Sequence, residues 1–185
     1  INRLLIPGTL IKRAMKGELP LMQKAQQLQE ELLTFMPQRT FEGLLEQEQY
    51  MIKMAKKIFL MLGGLAVQKY QQELEKEQEI LSHLADIMIQ VYAAESTLLR
   101  TKKLIANEGE EKAVNAIAMT QVFVHESFET IESFAKDALA AIESGDMLQA
   151  QLSIVKKLTR RTPVNTVALK RQIAERVISA EKYVV

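Results

Sequence analysis

The chain has no cysteine and no tryptophan, and only seven glycines and four prolines in 185 residues. Without cysteine there can be no disulfide, no thiolate metal site and no cysteine nucleophile. The absence is compatible with a reducing cytosol. Few breakers favour long helices over many short strands. Aromatic residues make up 5% of the chain, so a core must come from Leu, Ile, Ala and Met. Neither sign of charge dominates: the net charge is +1 and there is no polybasic tail, which gives no bulk attraction to nucleic acid. No run reaches the roughly 18–20 apolar residues of a membrane span. The densest, residues 58–67 (IFLMLGGLAV), reads as a buried core turn. No secretory signal is visible.

What the chain does have is 48% hydrophobic and 25% charged residues, enough to bury one sizeable core, with or without an attached arm. The most regular stretch is 77–105. Apolar residues recur at Ile80, Leu84, Ile87, Val91, Ala94 and Leu98, and a second row runs beside them through Leu81, Ala85, Met88, Tyr92 and Leu99. Spacings of three and four define a helix, and two adjacent rows define one that packs on more than one neighbour. Glu79, His83, Asp86, Gln90 and Arg100 form the expected wet face.

The remaining elements follow in order. Residues 1–6 (INRLLI) read as the tail of a helix, broken by Pro7-Gly8, with Thr9 capping a short helix over 10–16. Residues 21–35 are amphipathic through Leu21, Ala25, Leu28 and Leu32. Residues 37–43 (PQRTFEG) form the clearest linker, dividing an arm (1–43) from a bundle (44–185). Residues 44–71 form a long helix with Leu45, Ile52, Ala55, Ile58, Leu62 and Leu65 in its stripe and Lys53, Lys56 and Lys57 on its wet face. It is apolar on all sides near Ile58–Leu62, which predicts contact with the arm or another subunit. Gly63-Gly64 inside it predicts close backbone packing. A helix continuous from 44 to 105 would be about 90 Å long, so a turn is required near 72–77. Asn107-Glu108-Gly109 is a turn, and 110–143 a third long helix along Val114, Ile117, Val124, Phe128, Ile131, Ala135, Ala138 and Ile142. Asp146 and Asn165 are candidate caps of two shorter helices. The last runs through Leu169, Ile173, Val177 and Ala180. The expected fold is all-α: an antiparallel up-and-down bundle of three long and two shorter helices, preceded by a helical arm.

A helical bundle raises the question of a di-iron site, which needs Glu-x-x-His pairs on its helices. His83 has Ile80 three residues before it and His125 has Val122, so neither pair exists. His83 reads as a surface residue and His125 as a partly buried, hydrogen-bonded one. No nucleophile elbow, phosphate loop, dinucleotide fingerprint or zinc pattern occurs. The glutamates lie nearly all on polar faces, away from the desolvated settings that tune catalytic carboxylates. Lys156, Lys157, Arg160 and Arg161 close a helix, where cations complement its dipole, and no aromatic residues interleave to stack bases. Met51, Met54, Met61 and Met88 read as core filler. No catalytic, cofactor-binding or metal-ligating residue is assigned.

Two strings carry a resemblance. Ile1-Asn2-Arg3-Leu4-Leu5, at the very start, is similar to the helix that follows the Glu-Gly-Thr motif in acyl-CoA dehydrogenases. Leu84-Ala85-Asp86, followed by Tyr92-Ala93, resembles the helical extension of the very-long-chain members. The resemblance implies a C-terminal region, beginning just after the catalytic motif, of an FAD-dependent enzyme that oxidises the Cα–Cβ bond of an acyl-CoA. Base and flavin would both lie upstream, so no FAD is expected in this fragment. Implied partners are the region's own catalytic core, a second copy in a homo-oligomer and, for the whole protein, acyl-CoA and an electron-transfer flavoprotein. The implied location is cytoplasmic, with mitochondrial relatives. Those relatives use the extension for membrane association. Here the corresponding stretch, 21–43, has modest amphipathicity and only Lys24 and Arg39 as cations, which argues against it. A free-standing helical scaffold and a bundle metalloenzyme are the alternatives.

Overall fold

In a computed structural model, residues 2–182 are described; Ile1, part of the opening string, lies outside them. Seven α-helices follow one another: α1 (Asn2–Met15), α2 (Leu21–Thr34), α3 (Glu46–Tyr70), α4 (Gln78–Glu108), α5 (Val114–Ile142), α6 (Gly145–Leu158) and α7 (Thr166–Ala180). No strand occurs among the described residues. Helices α3, α4 and α5 pack on one another as the inner bundle; α1 lies on α4, α2 on α3, and α6 and α7 on α5.

The core of the bundle follows the first row of α4. Ile80, Leu84, Ile87, Val91, Ala94 and Leu98 are all buried, against Met51, Ile58 and Leu62 of α3 and Phe128, Ile131 and Leu139 of α5. The second row is buried only at its start: Leu81 and Ala85 are covered, whereas Tyr92 and Leu99 are exposed. The expected turn between α3 and α4 is present as a 3-10 segment, Gln71–Lys76, with Leu74 pinned inside. Glycine ends two of the helices in conformations other residues resist. Gly17 (φ +74°) and Gly109 (φ +87°) sit just past α1 and α4, and their N–H groups reach Ala14 and Ile105 carbonyls at 3.0 and 2.9 Å.

Several expectations need correction. Pro7-Gly8 does not break α1, which runs through both, and Thr9 is interior rather than a cap. Proline forfeits one backbone hydrogen bond, but Pro7 is buried, and its packing offsets the loss. The 110–143 helix begins at Val114, which is exposed, because residues 110–113 form a turn. Asp146 lies in the first turn of α6 rather than at its cap, which is Ser144. Asn165 does cap α7, its Oδ1 accepting the Ala168 N–H at 3.0 Å.

The Gly63-Gly64 expectation holds for one glycine. A Cβ on Gly64 would lie 3.1 Å from that of Ala25 in α2, whereas one on Gly63 would meet open space. The apolar belt of α3 is therefore covered by the arm, where Ala25, Leu28 and Leu32 are buried. The 35–45 connection is fixed by Glu46: its carboxylate accepts the N–H groups of Glu42 and Gly43, each at 2.9 Å. Those backbone bonds hold the Glu46 carboxyl below its ordinary pKa.

Candidate functional site

Three places bring together side chains that bear chemistry. The first is the α1–α4 seam. Arg3 Nε lies 2.9 Å from Asp86 Oδ1, and the Asp86 side chain retains 12% of its exposure. The two strings that carried the resemblance therefore meet in space. Asp86 is not on a wet face, as its spacing implied; α1 covers it. His83 is also half-buried rather than solvated, its ring 5.4 Å from that of Phe134 on α5. A helical wheel separates faces but does not say which polar face a later helix will cover.

The second place lies inside the bundle. Glu48 and His125 are 3% and 2% exposed, with Glu48 Oε1 3.4 Å from His125 Nε2. Glu48 corrects the expectation that the glutamates lie on polar faces. It sits three residues after Leu45 and four before Ile52, so it occupies a core position of the apolar row. That spacing was the available signal. Beside it, Gln47 grips the α6–α7 connection: its Nε2 donates to the Thr162 carbonyl at 3.0 Å, and its Oε1 accepts the Thr162 N–H at 3.1 Å. Gln47 Nε2 also stands 3.5 Å from His125 Nε2. Arg161 completes the fastening. It lies 5.3 Å over the Phe128 ring and 3.3 Å from both Glu129 and Glu132. Burial alone would raise the Glu132 carboxyl, but the bonds and charges of Lys136 and Arg161 outweigh it and hold the group below its ordinary value. Of the basic cluster, Arg161 is thus engaged within the fold, while Lys156, Lys157 and Arg160 are exposed. A Glu–His pair can move protons, but both of these side chains are enclosed within the bundle. The pair's geometry suits holding α3, α5 and the Thr162 segment together. A neutral counterpart is equally buried: Thr101 and Thr120 hydroxyls are 2.7 Å apart, and Thr120 also donates to the Ala116 carbonyl at 2.7 Å.

The third place is an apolar groove of about 600 Å³ between α1, α2 and α3, walled by Pro7, Ile11, Met22, Phe59 and Val67 with Gly63 and Gly64 at its floor. It offers no cradle for a phosphate or a flavin pyrophosphate. Both glycines lie inside α3, where their amides are committed to the helix rather than free to face an anion. Among the described residues, no group of three or more His, Cys, Asp or Glu could hold a metal ion. Nor, among those residues, is any helix long and apolar enough to cross a membrane.

Residues 54–157 match the family model described as acyl-CoA dehydrogenase, C-terminal domain. The chain belongs to the acyl-CoA dehydrogenase family. Over its whole length it is 52% identical to a probable acyl-CoA dehydrogenase of Bacillus subtilis (strain 168), of which it covers 31%. It also superposes along its whole length on the crystal structure of an acyl-CoA dehydrogenase complexed with FAD from Bacillus anthracis. The TM-score is 0.96 and the identity 50%, and the chain again covers 31% of that protein. It therefore spans about a third of these relatives and corresponds to their C-terminal part. The family named by the INRLL and LAD strings is the right one.

Proposed function

We propose that this chain is the non-catalytic C-terminal region of an FAD-dependent acyl-CoA dehydrogenase of fatty-acid metabolism. Its role would be to dock onto the enzyme's own core and support a homo-oligomer. The observation that carries the reading is the match along the entire chain, in sequence and in backbone, to the C-terminal part of a flavin-bound acyl-CoA dehydrogenase. The arm, 1–43, would form the joint to the core, and the bundle, 44–185, the docked unit. No residue here is given a catalytic, flavin-binding or metal role. The oxidation, with FAD taking the hydride and an electron-transfer flavoprotein as a partner of the whole protein, would belong to the upstream portion. A cytoplasmic location and an arm that leaves membranes alone complete the reading.

The test is the full-length protein. It should purify yellow, and an acyl-CoA should bleach the flavin band under anaerobic conditions. A colourless protein, or a flavin that no acyl-CoA reduces, would overturn the enzymatic reading. Removing residues 1–185 should lower the oligomer's mass by more than the deleted chains account for; a core assembly that keeps its subunit number would remove the oligomer role.

A further inference from the structure

Helix α4 carries an apolar face that changes character half-way along. Leu81 and Ala85 of its second row are buried; further along the same face, Tyr92 is 75% exposed and Leu99 60%, with Ile89 beside them at 42%. Three large apolar side chains at spacings of three and seven form a stripe rather than scattered surface residues.

The direction of α1 explains where the cover stops. Arg3, near its start, pairs with Asp86. Pro7, Leu10, Ile11 and Ala14, further along, wall the groove that ends at Leu74 and Gln71, before α4 begins. Helix α1 therefore runs antiparallel to α4, and its N-terminal end points along α4 toward Tyr92. At 1.5 Å per residue, Tyr92 lies about 9 Å beyond Asp86 and Leu99 about 20 Å beyond it. The uncovered stripe continues the existing α1–α4 interface on the side from which the chain enters. The relatives carry more than twice this length of protein upstream of that point, since this region is 31% of them.

We propose that Ile89, Tyr92 and Leu99 form the seat on which the upstream portion of the full-length protein rests, directly beyond the Arg3–Asp86 pair. The inference rests on the reading of this chain as the C-terminal region of a longer enzyme, and it deepens that reading by naming the docking face. An exposed aromatic flanked by aliphatic residues is the usual anchor of such a contact.

The experiment places the photo-crosslinking residue p-benzoylphenylalanine at Tyr92 of the full-length protein, which changes only an exposed ring. After irradiation, peptide mapping should find Tyr92 joined to a peptide upstream of Ile1 in the same chain. Isotope-labelled and unlabelled copies, mixed before irradiation, separate joins within a chain from joins between chains. A join between chains would assign the stripe to a second copy and overturn the proposal. So would no join together with ready solvent labelling of Tyr92. Leu99→Glu should sharply lower the yield of the crosslink, while Ile178→Glu on α7 should leave it unchanged. Equal yields in the two variants would also overturn it. The crosslink is read whether or not the protein binds flavin, so a colourless protein with the expected join would sink the enzymatic reading and leave this one standing.

Discussion

Helices α5 and α7 pack against each other and are both amphipathic by sequence, yet α5 buries thirteen residues and α7 buries none. Leu169, Ile173 and Val177 of α7 are only half-covered, and Val167 and Ile178 stand exposed. The inner helices α3, α4 and α5 each have neighbours on two or more sides; α7 has α5 on one side and water on the other. The outer helices compensate with polar fasteners. Gln47 and Arg161 hold the segment before α7, Arg3–Asp86 holds α1, and Lys57–Glu31 ties α2 to α3. Apolar burial makes the inner bundle; the outer helices add specific polar contacts to the smaller apolar faces they bury, such as Ala25, Leu28 and Leu32 of α2.

The largest effect should come from charging the inner bundle. Ile87 is fully buried, so Ile87→Asp should cost about 4 kcal/mol or more and unfold the chain or lower its melting temperature steeply. Ile178→Asp on α7 should change stability by no more than about 0.5 kcal/mol. Similar melting curves for the two variants would break the comparison between inner and outer helices.

Next in size is the buried pair. Glu48→Ala leaves His125 without its carboxylate and should destabilise by about 3 kcal/mol in a denaturant titration. Replacing both residues by leucine should recover most of that loss, because the cost lies in an unpaired buried polar group rather than in the pair itself. A double variant as unstable as the single one would show that the pair contributes more than it costs to bury.

The sequence made the inner helices easier to read than the outer ones, for the same physical reason. A 3.6-residue period shows which residues share a face, and in α4 the face with the densest apolar row, Ile80 to Leu98, is the core. The period does not show what covers the other faces. The period therefore places Tyr92 and Leu99 inside, yet they stand outside, and it places Asp86 and His83 outside, yet α1 and α5 cover them. Pro7 is a local breaker signal that its burial within α1 overrides. Glu48 has the spacing of a core residue and the charge of a surface one, and the structure follows the spacing. The family is legible in two short strings, INRLL and Leu84-Ala85-Asp86; that they meet at the Arg3–Asp86 salt bridge is a contact no single-helix pattern contains.

A smaller effect reads out one of the polar fasteners. The Glu132 carboxyl is held below its ordinary value, so its contribution is present above the unfolded-state pKa of about 4.3 and is lost as the pH falls through the folded-state value. Glu132→Gln should therefore lower stability by about 1 kcal/mol at neutral pH. The gap to the parent should close as the solution is acidified through that range. A gap that stays constant with pH would mean that the Arg161 and Lys136 contacts are not what stabilises this site.

The two adjacent glycines of α3 give the smallest and most local test of how tightly an outer helix sits on an inner one. Alanine in a helix interior gains about 1 kcal/mol over glycine by restricting the unfolded chain and favouring the helix. Gly63 has open space where a Cβ would go, so Gly63→Ala should collect most of that gain and raise the melting temperature. Gly64 faces Ala25 of α2 at 3.1 Å, so the same change there must push α2 outward by a few tenths of an ångström. Gly64→Ala should gain less than Gly63→Ala, or lose stability if the arm cannot move. Equal gains at both positions would show that α2 rides loosely on α3 and yields without cost. A clear loss at Gly64 alone would show that the arm, although its outer face is exposed, is set against the bundle as firmly as the bundle's own helices are set against one another.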